Sequence, residues 1–109
     1  MRLFSNIALA AASALALVLA VPVSANAATG DFYYKVGPGV PVGLPDPESG
    51  VCIDLPWTTE EAPGFAPENL TTSTATVYLD ADCGGDVYYV MTPGKKLGDR
   101  LKTRSVVFS

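Results

Sequence analysis

Seven prolines (Pro38, Pro41, Pro45, Pro47, Pro56, Pro63 and Pro67) and the glycines Gly37, Gly39, Gly43, Gly50 and Gly64 all fall between Gly37 and Pro67. A proline inside a helix removes a hydrogen bond and clashes with the preceding turn, so no helix survives that spacing. The interleaved Val40, Val42, Val51, Ile53, Leu55, Trp57 and Phe65 still supply enough apolar surface to cover a core. The segment therefore reads as extended pieces joined by ordered loop.

The flanking sequence is β-prone. Asp31–Val36 (DFYYKV) carries three consecutive aromatics, and Ser49–Leu55 alternates so that Val51, Ile53 and Leu55 share a face. Thr74–Leu79 (TATVYL) and Val87–Met91 (VYYVM) flank a polar, glycine-containing connection at Asp80–Asp86 and read as a hairpin. A turn at Thr92–Gly94 and a last strand at Ser105–Phe108 complete an all-β expectation.

The chain opens with Arg2 ahead of an apolar run from Ile7 to Val21, then Pro22 and the small-residue sequence Ala25-Asn26-Ala27. That order is the signature of an export signal over residues 1–27, with Ala28 beginning the mature domain 28–109. The run is about 15 residues, short of the roughly 20 that span a bilayer. No cysteine follows it to accept a lipid, and the expected product is a secreted, extracellular protein without membrane attachment.

Cleavage after Ala27 leaves 82 of the 109 residues, a size at which one core is marginal without reinforcement. Cys52 and Cys83 are the only cysteines, both in the exported part, and are expected to form a structural disulfide. With no histidine anywhere, the usual zinc partner of a cysteine pair and the commonest general base are missing. No cofactor, no metal and no enzymatic activity are expected. Glu60, Glu61 and Glu68 are formally available for glycoside hydrolysis, but such sites need a cleft that so short a chain scarcely forms.

Without Arg2 the chain carries six bases against eleven acids, a net charge of −5. From Ala28 to Asp86 Lys35 faces ten acids, whereas Val87–Ser109 holds Lys95, Lys96, Arg100, Lys102 and Arg104 against Asp99 alone. The basic end can meet an acidic partner or serve only as a solvated strand edge. Nucleic acid is disfavoured by the negative total. Asp80, Asp82 and Asp86 share one turn and can hold calcium, although their spacing is not that of an EF-hand and Asp also suits turns. Asn69-Leu70-Thr71 is a glycosylation sequon by letter, informative only in a host that uses it. Trp57, Phe65 and one tyrosine of each pair, Tyr33-Tyr34 and Tyr88-Tyr89, are candidates for exposed contact residues, since successive strand residues face opposite sides.

From Ala75 to Ser109 the sequence resembles one Greek-key motif of the βγ-crystallin superfamily: Tyr78, four residues, Cys83, one residue, Gly85, and later Ser105 entering the last strand. The resemblance implies a small Greek-key β-sandwich. In it Gly85 permits a folded-over hairpin, Tyr78 packs on that corner and Ser105 bonds back to it. Cys83 stands where the family usually has an aromatic, consistent with a disulfide replacing ring packing. A second motif is expected between Asp31 and Leu70, although no glycine corner is evident there. The family's calcium pattern is replaced by Arg100, Leu101, Lys102, Thr103, Arg104 and Ser105, which puts bases where a carboxylate and a hydroxyl ligand belong.

Secreted members of that family include a metalloproteinase inhibitor and killer-toxin-like antimicrobials. The expected function is thus a non-enzymatic extracellular binding module, with Trp57, Phe65, Lys95, Lys96 and Arg100 as candidate contact residues and an extracellular protein such as a protease as partner. The alternative is a structural extracellular or cell-surface protein without a specific ligand.

Overall fold

The computed structural model describes residues 27–109; the export signal expected over 1–27 lies, apart from Ala27, outside the described residues. Eight strands run in order: β1 Gly30–Val36, β2 Val40–Pro45, β3 Cys52–Asp54, β4 Gly64–Thr71, β5 Ala75–Tyr78, β6 Tyr88–Met91, β7 Lys102–Thr103 and β8 Ser105–Phe108. A three-residue 3-10 turn, Ala81–Cys83, stands between β5 and β6. The described chain is all-β.

Two antiparallel four-stranded sheets have the orders β2-β1-β4-β7 and β3-β8-β5-β6. Each sheet takes three strands from one half of the chain and one from the other. The two halves follow one plan: a hairpin (β1–β2, β5–β6), a short strand given to the opposite sheet (β3, β7), and a return strand beside the first (β4, β8). The core between the sheets comes from inward-facing positions of both, namely Phe32, Tyr34, Leu55, Val77, Met91, Val106 and Phe108, with Ala28 and Ala75 filling the narrow places. Phe32 meets Phe108 edge to face across the sheets, ring centroids 5.5 Å apart.

The Pro-rich segment contains more strand than its composition announces. β2 is an edge strand, where the missing N–H groups of Pro41 and Pro45 are tolerated. β4, the longest strand, carries Pro67 at a bulge: Tyr33 pairs with Glu68 and Lys35 with Phe65, so Tyr34 alone faces Ala66 and Pro67. Ala66 takes φ +52° to make the extra step. Of the expected loop between Gly37 and Pro67, the long irregular stretch is 55–63, which carries the chain from β3 in one sheet to β4 in the other.

β4 points polar side chains inward, and they are satisfied. Asn69, fully buried, donates from Nδ2 to the carbonyls of Ser73 (2.8 Å) and Met91 (2.9 Å), and its Oδ1 accepts from the backbone N–H and hydroxyl of Thr71. The letters of the sequon thus spell an internal hydrogen-bond hub, with the glycan-accepting nitrogen spent inside the protein.

Cys52 and Cys83 are bonded, tying β3 to the 3-10 turn across 31 positions. A disulfide is compatible with an extracellular location. Ala28, the expected first mature residue, is 1% exposed and donates its N–H to the Pro47 carbonyl at 2.8 Å. Closing a loop of this length restricts the unfolded chain, so a Cys52→Ala/Cys83→Ala double variant is expected to lose about 3 to 4 kcal/mol in denaturant unfolding. A loss below about 1 kcal/mol would assign the turn's stability to its hydrogen bonds instead.

Candidate functional site

The connection 55–63 leaves β3 at Leu55, which is buried and bonded through its N–H to the Arg104 carbonyl at 2.8 Å. Pro56 and Trp57 then form a turn in which a proline is followed by a residue at φ +67°. That is the backbone signature of a type II turn, whose third position is ordinarily Gly or Asn because a side chain there crowds the backbone. Here it is the protein's single tryptophan, 79% exposed.

Two hydrogen bonds hold this turn. The Tyr34 hydroxyl donates to the Pro56 carbonyl at 2.8 Å, and the Thr58 hydroxyl donates to the Leu55 carbonyl at 2.8 Å. Tyr34 is fully buried in the middle of β1. A core side chain thereby reaches up and fixes the carbonyl immediately before Trp57, and nothing in the core covers the indole in return.

Beside Trp57 lies an apolar groove of about 490 Å3 lined by Val36, Pro38, Val40, Pro41 and Val42 at the tip of the β1–β2 hairpin. Val36, Val40 and Val42 face the same way as the core residues Phe32 and Tyr34. Val36 and Val42 pack against the core while Val40 is 52% exposed. The mouth of the sandwich is therefore open at this end, with the indole at its rim.

The other candidate residues occupy different places. Phe65 lies on the outer face of β4 under Lys102, whose Nζ is 5.1 Å from the ring centroid, so it is half-covered rather than presented. Lys95 and Lys96 run along β4, with the Lys95 carbonyl accepting the Asn69 N–H at 2.9 Å. Arg100 stands exposed in the following turn. Arg104 lies beside Glu60, Pro63, Leu79 and Asp80. The five bases that are neighbours in sequence are thus divided among different surroundings, and Lys35 and Asp99 approach to 4.0 Å.

At the β5–β6 connection Gly85 has φ +80°, and a side chain there would collide with the Asp80 carboxylate. Ser105, fully buried, donates from Oγ to the Asp80 carbonyl at 2.6 Å and accepts the Cys83 N–H at 2.8 Å. Tyr78 packs on Tyr88, ring centroids 5.8 Å apart. Asp82 directs its N–H to the Asp54 carboxylate at 2.7 Å. Asp80, Asp82 and Asp86 do not converge: among the described residues no three acidic, cysteine or histidine side chains gather at a point that could hold an ion. Glu60 and Glu61 are exposed on the connection, and Glu68 lies across from Tyr33. Among the described residues no helix is long and apolar enough to cross a membrane.

Tyr33 is the outward member of the first tyrosine pair. Its hydroxyl donates to Asp31 at 3.1 Å, and that hydrogen bond, with the carboxylate's charge, holds the phenol above its ordinary value. In the second pair both Tyr88 and Tyr89 are exposed, because β6 is an edge strand. Comparison with protein-family models, with curated proteins and with solved structures returns no match to this chain.

Burial pushes the Tyr34 phenol up to about 12 from an ordinary value of 10.0. In the unfolded chain it ionises first, so the proton it retains when folded stabilises the protein fully below pH 10, and that contribution is lost as pH rises through about 12. Alkaline unfolding is expected to start in this window, with Trp57 fluorescence and tyrosinate absorbance changing together. In Tyr34→Phe the pH dependence of stability between 10 and 12 should flatten. An unchanged dependence would mean that Tyr34 is not what titrates.

Proposed function

We propose that this chain is a secreted, non-enzymatic binding module of βγ-crystallin type that engages an extracellular protein such as a protease through Trp57 and the groove beside it. Each half places its return strand, first strand and second strand side by side and sends its third strand to the other sheet, an arrangement that supports a pair of Greek-key motifs. Gly85 with a left-handed backbone and Ser105 bonded to Asp80 and Cys83 support the folded corner in the second motif. In the first motif the β1–β2 connection is a tight turn at Gly37–Gly39, so the resemblance is carried by the second.

The observation that carries the functional reading is Trp57, largely exposed on a left-handed backbone. A non-glycine residue in that region costs on the order of 1 to 2 kcal/mol, and an indole that is 79% exposed gains little burial to offset it. Aromatic anchors next to apolar pockets are the residues that dominate protein interfaces. A turn already fixed by Tyr34 and Thr58 loses little entropy on binding.

Trp57→Gly separates fold from function. Glycine adopts φ +67° without strain, so the variant is expected to match or exceed the parent in thermal stability. Titrated into a panel of secreted metallo- and serine proteases, the parent should abolish one activity stoichiometrically, and Trp57→Gly should weaken that effect by at least about tenfold, the loss of a hot-spot side chain. Full protease activity throughout with an uncleaved parent would remove the inhibitor reading. Equal potency of parent and variant would remove Trp57 from the interface.

A further inference from the structure

The sandwich has four strand edges, and three carry features that discourage pairing. β2 contains Pro41 and Pro45, β7 is two residues long with Lys102 exposed, and β3 is three residues long, with Asp54 and the disulfide of Cys52. β6 carries none of these. From Val87 to Met91 there is no charge and no proline, and its register with β5 runs without a bulge. Val87, Tyr88, Tyr89 and Val90 are 44%, 54%, 46% and 56% exposed, a continuous apolar rim.

The free edge has a definite hydrogen-bonding pattern. Leu79 donates its N–H to the Val87 carbonyl at 3.1 Å, so Val87, and by alternation Tyr89 and Met91, turn their polar backbone groups toward β5. Tyr88 and Val90 therefore turn their N–H and C=O groups outward, two donors and two acceptors on an edge with no neighbouring strand among the described residues.

We propose that β6 pairs with β6 of a second copy of this chain, antiparallel and two-fold symmetric about Tyr89. In that register Tyr88 of each copy faces Val90 of the other, so all four outward groups of each edge are used and the outer faces of both sheets stay on the same side. Charge is compatible with the same partner. The strand from Val87 to Met91 carries no charge, and Asp86, next to it in the chain, falls opposite Thr92 of the other copy in this register rather than opposite a second Asp86, so the antiparallel two-fold brings no like charges together. The contact consumes both β6 edges and closes as a dimer rather than extending into a fibre.

The test is sedimentation equilibrium of the purified, disulfide-intact protein across a concentration series reaching the millimolar range. Twice the monomer mass is expected at the upper end. Val90→Pro, which deletes an outward N–H and none directed at β5, and Val90→Lys should each weaken association at least about tenfold, as edge prolines and lysines do in natural sheets. Trp57→Gly should dimerise like the parent, which keeps this result separate from the proposed binding function.

Register is read independently of those variants. Opposed residues in a non-hydrogen-bonded pair lie about 4.5 Å apart at Cα, within disulfide range, so Tyr89→Cys should oxidise to a covalent dimer while Val87→Cys, facing Met91, should not. A parent that remains monomeric throughout the series overturns the proposal and leaves the edge to an extended segment of some other protein. Equal dimerisation by Val90→Lys, or equal cross-linking at positions 87 and 89, overturns it as well.

Discussion

Neither half of this chain completes a sheet alone: β3 belongs to the sheet built by the second half, and β7 to the sheet built by the first. That exchange determines most of the architecture. It interleaves the core, so that Phe32 of β1 packs on Phe108 of β8, and each half's inward face is covered only when the other is in place. It also fixes the crossings. After β7 the chain returns to the opposite sheet through Arg104 alone, whose N–H and carbonyl are both held, by Tyr78 and Leu55. After β3 it needs the whole of 55–63, and this longer crossing puts Trp57 at the mouth of the sandwich.

Two stretches of apolar surface are left over by the strand arrangement. At the tip of the β1–β2 hairpin Val40 is more than half exposed. β6, hydrogen-bonded on one side, leaves Tyr88 and Val90 open on the other. The two surfaces differ in kind. At the hairpin tip the opening is a side-chain groove with an aromatic at its rim, whereas at β6 it is backbone hydrogen-bonding capacity with an apolar margin. A net hydrogen bond is worth about 1 kcal/mol, of the same order as the cost of a left-handed tryptophan, so the Tyr34 and Thr58 bonds are of the size needed to keep the indole where it is.

Much of this was legible in the residues. The proline spacing excluded helices, the two cysteines named their own pair, and β5, β6 and β8 stood out because β-branched and aromatic residues are concentrated in them. β2, β4 and β7 did not. β2 and β4 carry the prolines and glycines that disfavour strands, tolerated at an edge and at a bulge, and the inward face of β4 is Asn69 and Thr71 rather than a hydrophobic run. β7 is too short to form a pattern. Trp57 was visible as a contact candidate, but its backbone conformation was not, because position three of such a turn gives no reason to expect a bulky ring. The cluster of bases looked like one patch in sequence and is divided in space, since alternation along strands and the crossing at Arg104 send neighbouring side chains in different directions.

The Tyr34 and Thr58 hydrogen bonds hold an exposed aromatic in a fixed position at the rim of the core. Because Trp57 is the protein's single tryptophan, its fluorescence anisotropy decay measures this without a label. A held indole predicts a solvent-exposed emission spectrum combined with an anisotropy that decays almost entirely with overall tumbling, and the appearance of a fast local component in Tyr34→Phe. A parent protein whose indole loses most of its anisotropy through rapid local motion would contradict it.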